Sequence, residues 1–332
     1  MSVLDIKSNS DIPKYKQIVQ SIERAVVEDR VMDGDRLPSI NSIRSRYALS
    51  RDTVLFAYQQ LKEIGLVKSV AGKGYFVTLE QTVIKKTVFL LFDEFNAFKK
   101  DLFDAIVNTF PNNVRIDVFF HHFNKSLFNS LLKEHKNNYD YFVIMPSNIF
   151  NAERDISLID KEKVYLLDQV SPKLRAYPAI FQNFEKDIFN ALMQLNNRLK
   201  KYKKLTLIFD ESIQPNGMLK GFEQFCQLHK FNYTIIHAFK NQLVERDNVY
   251  IIPDDRNLIR VLKQARSQNF SLGKETGVIS YNDSMLHEMV EDGITTISTD
   301  FVEMGKTLVQ MIQLKQHLHI ENKSVVIQRN SL

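Results

Sequence analysis

Cysteine is nearly missing from this chain: its 332 residues contain one, Cys226. No intrachain disulfide can form and no thiolate cluster can hold zinc, which fits a reducing compartment. No run of about 18 apolar residues occurs, so no membrane-spanning helix is expected. The opening MSVLDIKSNSD has no apolar core of an export signal, and a cytoplasmic location is expected. G-x-S-x-G, P-loop and G-x-G-x-x-G patterns are absent too. These absences predict a non-enzyme with no catalytic residues, no cofactor and no metal site.

Charge is informative mainly by its evenness. The net charge is +5, with 12 basic and 10 acidic residues in positions 1–80 and 32 and 29 in the rest. Bulk charge therefore does not mark a nucleic-acid-binding region, and only the placement of individual cations can. The length suggests two or three units at ~100–200 residues each.

Residues 1–78 read as helices followed by a hairpin. In PKYKQIVQSIERAVVEDRV, Tyr15, Ile18, Val19, Ile22, Ala25 and Val26 recur at helical spacing. DGDRLPS is a turn, after which Ser39 caps the short helix INSIRSRY. Ser50 caps the next helix, whose stripe is Val54, Ala57, Tyr58, Leu61 and Ile64, and Gly65 ends it. LVKSV and YFV then flank AGKG as a hairpin. Helix, helix, turn, helix, hairpin is a winged helix-turn-helix, which places the helix from Ser50 in a DNA major groove.

The blocks IPKYKQIVQSI, GDRLPSINSI, LSRDTV, YQQLKEIGLV and GKGYFV resemble, in order, those of GntR-type regulators. The resemblance covers about residues 10–78 and implies contacts with double-stranded operator DNA. Arg51 and Thr53 match DNA-contacting positions; an arginine there reaches a guanine edge or a phosphate. Ser39 and Ser50 can donate to phosphates while capping. Lys73 and Gly74 form the wing tip. Where relatives usually have an arginine after the PS-x start, this chain has Asn41, which suits adenine. Leu55 replaces a second common arginine, so the operator is not transferable.

After an expected linker at 79–86, residues 87–332 alternate β-rich runs (TVFLLF, VRIDVFF, DYFVIM, KVYLLD, KLTLIF, FNYTII, NVYIIP, TGVISY, GITTIS) with helical patterns. That alternation predicts an α/β fold with parallel sheets, and the length fits two lobes. DYFVIMPS, VYLLDQ, MLKGFEQF, GVISYNDS, GITTISTDFVEMGKTLVQMI and SVVIQRNSL resemble, in order, the periplasmic-binding-protein-like effector domain of LacI-type regulators.

Ligands of such folds bind between lobes, beyond the carboxyl ends of strands. The resemblance implies effector contacts at Asp168 and Asn282, with Asp283 beside the latter. Phe98, Gln182 and Asn216 are further candidates at loop openings. An arginine common three residues before the glycine of MLKGF is Met218 here, which favours a neutral monosaccharide over a phosphorylated one; L-fucose or another deoxyhexose is the specific expectation. A homodimeric repressor relieved by that sugar is the reading, with no membrane partner. The alternative is a pyridoxal-phosphate-dependent regulator or enzyme with the same head, for which the remaining length is short.

Three tempting features have plainer explanations. His121–His122 point to opposite sides of a strand end and have no third ligand nearby. RLKKYKK at 198–204 reads as the solvated end of a helix. Cys226 lies on an apolar helix stripe and reads as core.

Overall fold

A computed structural model describes residues 3–6, 12–28, 30–78, 86–240 and 242–332. The chain divides into two compact units, Met1–Lys86 with Pro111–Arg115, and Thr87–Phe110 with Ile116–Leu332. The expected linker at 79–86 falls, Lys86 apart, outside the described residues.

The first unit holds α1 (Lys14–Val27), α2 (Ile40–Tyr47), α3 (Arg51–Glu63) and a hairpin of β1 (Val67–Val70) and β2 (Gly74–Val77). Ile18, Ile22, Ala25 and Val26 of α1 are buried against Val54, Ala57, Tyr58 and Leu61 of α3, at the spacing that brings one helical face inward. Ile64 departs from the expected stripe: it is 45% exposed, because it stands at the helix C-cap beyond the last buried turn. Gly65 follows with φ +75°, the left-handed step that ends a helix. The hairpin gains a third edge from residues 34–37, where Leu37 N–H donates to Tyr75 O at 2.9 Å and Gly34 N–H to Val77 O at 3.0 Å.

The second unit has two parallel-sheet lobes. The first sheet runs β13 (His319–Glu321), β7 (Ala179–Phe181), β6 (Val164–Asp168), β5 (Tyr141–Ile144), β3 (Lys86–Phe92), β4 (Val114–Phe120). The second runs β14 (Ser324–Ile327), β12 (Thr295–Thr299), β11 (Gly277–Tyr281), β10 (Asn248–Ile252), β8 (Lys204–Ile208), β9 (Asn232–Ile236), with β14 antiparallel at the edge. Near-continuous apolar strands such as VFLLF and VYLLD are buried on both faces, as covered parallel sheets require.

The chain passes between the sheets three times: after Phe181, after Thr299, and between Glu321 and Ser324. Two passages are tied together, since Asn322 Nδ2 donates to Thr299 Oγ1 at 2.7 Å and to Asp300 O at 3.0 Å. In the second lobe α7 (Phe184–Leu199) packs on α8 (Asn216–His229). Gly221 permits that approach: a Cβ there would stand 2.1 Å from the Glu185 carbonyl oxygen. In the first lobe α4 (Ala97–Thr109) packs on α11 (Phe301–Gln313).

The three tempting features resolve as packing. Cys226 is fully buried, and burial pushes its thiol up to about 12. His121 is buried with Nε2 3.0 Å from Met145 O, whereas His122 is exposed. Lys203 and Lys204 pair with Asp247 and Glu245, and Arg198 donates to the Leu332 carbonyl at 3.2 Å.

Candidate functional site

The head presents a concave face floored by α2, the start of α3 and the wing. Ser39, Asn41, Arg51 and Gly74 line it, together with Arg36 and Arg44. Ser39 Oγ accepts from Ser42 N–H and Ser50 Oγ from Thr53 N–H, each at 3.1 Å, which sets the first turns of α2 and α3. Arg51 is thereby held at the exposed N-terminus of α3. Tyr58 OH donates to Pro38 O at 2.6 Å and its ring stacks on Tyr75 at 4.4 Å, so wing, turn and α3 are braced together. Gly74 has φ +111°, and a Cβ there would lie 3.6 Å from Arg36 Nε. The positive φ is what calls for glycine at this point of the wing, since a Cβ would meet Arg36 only in ordinary contact.

The expected residues divide on this face. Ser39, Asn41, Arg51 and Gly74 come together. Ser50 and Thr53 share a hydroxyl–hydroxyl bond of 2.7 Å, which uses one of their two hydrogens and leaves the other free to donate. Lys73 is exposed at the hairpin tip, outside the concavity. Arg36 and Arg44 were missed by sequence reasoning because neither matched a singled-out motif position. The available signal was helical spacing: Arg44 lies three residues after Asn41, and its Nη1 reaches Asn41 Oδ1 at 3.4 Å.

The second unit holds a cavity of about 120 Å³ between its lobes, at the carboxyl ends of the strands. Asp168 ends β6 with φ +70° and Asn282 follows β11 with φ +59°. Left-handed backbone, which Asp and Asn tolerate, turns each side chain off its strand and toward the crevice. Phe98 lines one wall and is stacked on Phe301 at 4.9 Å. Met218 is buried in another wall, so no cation stands where the sequence comparison placed an arginine.

Lys99 and Asp93 form a buried ion pair at one side of the cavity. Asp93 also accepts from Ser147 Oγ at 2.8 Å and from Glu94 N–H at 2.6 Å. Burial alone would raise its carboxyl, but Lys99 and these bonds outweigh burial and hold it below the usual range. Asp168 differs: among the described residues its carboxylate accepts a side-chain hydrogen bond from Gln182 Nε2 alone, and burial pushes it up to about 6 although Lys99 pulls downward. Because the Gln182 amide must turn its nitrogen to Asp168, its Oε1 is left buried and unpaired. Tyr281 OH and Asn282 Oδ1 are buried and unpaired as well. All three residues line the same cavity. Across its mouth, Asn148 Nδ2 donates to Gln214 O at 2.7 Å and Glu211 O at 3.2 Å, joining the two lobes.

Of the expected effector residues, Phe98, Asp168, Gln182 and Asn282 therefore converge. Asp283 and Asn216 do not. The Asp283 carboxylate is taken by Arg329, at 2.6 and 2.9 Å, and by Thr296 Oγ1 at 2.8 Å, which turns it away from the cavity. Asn216 is the first residue of α8, and that loop reaches the cavity through Gln214, Pro215 and Met218 instead. Asp254, Tyr281 and the Asp93–Lys99 pair are lining groups that sequence reasoning missed; PDD after β10 was the one visible signal, a strand end followed by a helix cap.

Comparison with known proteins agrees with both halves. Residues 14–77 match the family model of bacterial regulatory proteins of the gntR family, and residues 200–331 match the periplasmic binding protein-like domain. The chain joins a GntR head to a periplasmic-binding-protein-like domain. The GntR head is 38% identical over 64 residues to the uncharacterized HTH-type transcriptional regulator YcxD of Bacillus subtilis, covering 19% of this chain and 14% of that protein. The chain is 30% identical over 97 residues to the mannosyl-D-glycerate transport/metabolism system repressor MngR of Escherichia coli, covering 29% of this chain and 38% of that protein. The chain thus spans well under half the length of these two relatives. The periplasmic-binding-protein-like domain shares its fold with a periplasmic binding protein/LacI transcriptional regulator from Alkaliphilus metalliredigens complexed with D-xylulofuranose. That match has TM-score 0.60 and 14% identity, covering 74% of this chain and 99% of the other. No helix among the described residues is long and apolar enough to cross a membrane.

Proposed function

We propose that the protein is a cytoplasmic, non-catalytic transcriptional regulator that binds operator DNA through its GntR head and a sugar in the interlobe cavity. The observation that carries the sugar reading is the set of three buried, unpaired polar groups, Gln182 Oε1, Tyr281 OH and Asn282 Oδ1, around one cavity. A buried polar group without a partner costs roughly 1–3 kcal/mol, which a ligand rich in hydroxyls relieves. Phe98 offers a flat apolar wall for the face of a sugar ring.

Phosphorylated sugars fit poorly. Four carboxylates line the cavity, and its one cation, Lys99, is spent on Asp93. Nothing in the wall selects L-fucose over other unphosphorylated sugars. On DNA, the head works as one half of a homodimer on a pseudo-palindrome, with Arg51 reading a base edge and Arg36 and Arg44 placed for phosphates. Sugar acts by binding one interlobe arrangement more tightly than another, and repression relieved by sugar is the sign we adopt; of the relatives, MngR is named a repressor.

Thermal unfolding of the purified protein against unphosphorylated and phosphorylated sugars tests this directly. A one-site ligand at 100 times its dissociation constant adds about 2.7 kcal/mol. A shift with an unphosphorylated monosaccharide, followed by its effect on operator binding, is the expected result. A shift with phosphosugars alone overturns the assignment of the cavity.

A further inference from the structure

The expectation of a neutral sugar came from Met218, one missing cation. The folded cavity adds information of the opposite sign. Asp93 and Glu94 after β3, Asp168 at the end of β6 and Asp254 after β10 converge on it from three segments, against Lys99 alone among the described residues. Lys99 and Asp93 cancel each other, and the pair is closed by Ser147 and the Glu94 N–H. Asp254 is partly engaged as the cap of the following helix, where it accepts from Asn257. Asp168 is left with one amide bond and no ion pair among the described residues.

The next cations, Arg256 and Arg260, lie farther out in an adjoining recess beside Asp210. Neither lines the inner cavity. The walls add aromatic faces from Phe98, Phe123 and Tyr281, which attract cations. The unpaired Gln182 Oε1 is an acceptor as well, held in that sense by the bond its nitrogen makes to Asp168. Acceptors, carboxylates and ring faces together ask for a ligand that donates hydrogen bonds and carries positive charge.

We infer that the effector is an amino sugar with a free, protonated amine, its ammonium set against Asp168 and Gln182 Oε1 and its hydroxyls on Tyr281 and Asn282. This rests on the sugar reading above and narrows it. It explains why Asp168 is kept although Lys99, the cation that acts on it, is already ion-paired to Asp93: the ligand supplies the missing counter-ion, so occupancy of the cavity and neutralisation of Asp168 are one event.

Titration calorimetry on the full chain at pH 7 provides the test, with D-glucosamine, D-galactosamine and D-mannosamine, their N-acetyl forms and the parent hexoses. The expected result is that one free amine binds at least ~tenfold more tightly than its N-acetyl form and its parent hexose, about 1.4 kcal/mol. Asp168→Asn, which keeps the shape and the bond to Gln182, is expected to erase that preference while still unfolding cooperatively, at or above the temperature of the parent. Tighter binding of a neutral hexose than of its amine overturns the inference and leaves the sugar reading standing. An amine preference that survives Asp168→Asn overturns the assigned contact. No binding by any of the nine sugars overturns the amino-sugar inference, and heat from a sugar phosphate in the same experiment would overturn the unphosphorylated-sugar reading with it.

Discussion

The two candidate sites are built on opposite principles. The face of the GntR head is made of exposed cations, Arg36, Arg44 and Arg51, whose charges remain solvated until a partner arrives. The cavity of the second unit is made of buried polar groups, several of which the fold leaves unpaired. A face for a polyanion can be loose, because long-range charge and counterion release do much of the work. A cavity for a small neutral or cationic ligand has no such reserve and relies on placed, desolvated partners. The head therefore tolerates substitution in its stability and pays in affinity, whereas the second unit is sensitive in both.

The largest effect should come from the packing beneath the cavity. Gly221→Ala puts a methyl group 2.1 Å from the Glu185 carbonyl, between α7 and α8. Overpacking of this kind costs about 3 kcal/mol. Calorimetry should show the transition of the second unit falling sharply, while DNA binding by an isolated head is untouched; a normal transition would mean that the helices have room to part.

Next come the arginines of the head. Arg51→Ala should weaken operator binding by ~1–3 kcal/mol and relax preference at one base position. Arg44→Ala should weaken specific and non-specific binding alike, and lower the salt slope by about 1. Fluorescence anisotropy over a salt series separates the two, and identical behaviour of both variants would remove the division between base reading and phosphate contact.

Asp168→Asn probes the cavity without ligand. The folded carboxyl is raised to about 6 from its ordinary 3.8, so the native state holds more protons than the unfolded one between those values. Stability should therefore fall as pH rises from about 4 to about 6 and stay lowered above that. The variant should flatten this slope and be more stable at pH 7 by roughly 1–2 kcal/mol, read by thermal unfolding across that range. An unchanged slope would mean that Asp168 is well solvated.

The smallest effect belongs to the bonds across the cavity mouth. Asn148→Ala removes the donor to Gln214 O and Glu211 O and should cost about 1 kcal/mol of lobe closure. Sugar should bind up to several-fold more weakly, and small-angle scattering of the unliganded variant should show a more open second unit.

Legibility in the sequence followed how local each feature is. The helices and hairpin of the head rest on apolar spacing, serine caps and Gly65, all within a few residues, and they stood almost as written. The apolar strands of the second unit were readable from length and composition. Strand β7 escaped, since Ala179–Phe181 is three residues after a proline, and it is held as a strand by its neighbours β6 and β13. Strand β13 escaped for the same reason: HIE has no strand pattern of its own and takes its place from distant pairing.

The sequence by itself determined the order of most elements, because caps, periodicity and apolar runs are written locally, and its resemblance to two families supplied the candidates Arg51, Asp168 and Asn282. Only the tertiary structure decided which polar groups are satisfied. It gave Asp283 to Arg329, moved Asn216 out of the lining, and drew Arg36 and Arg44 beside Arg51. It also left Gln182, Tyr281 and Asn282 unpaired around one cavity. Whether a side chain has a partner depends on residues tens to hundreds of positions away, and no local pattern carries that information.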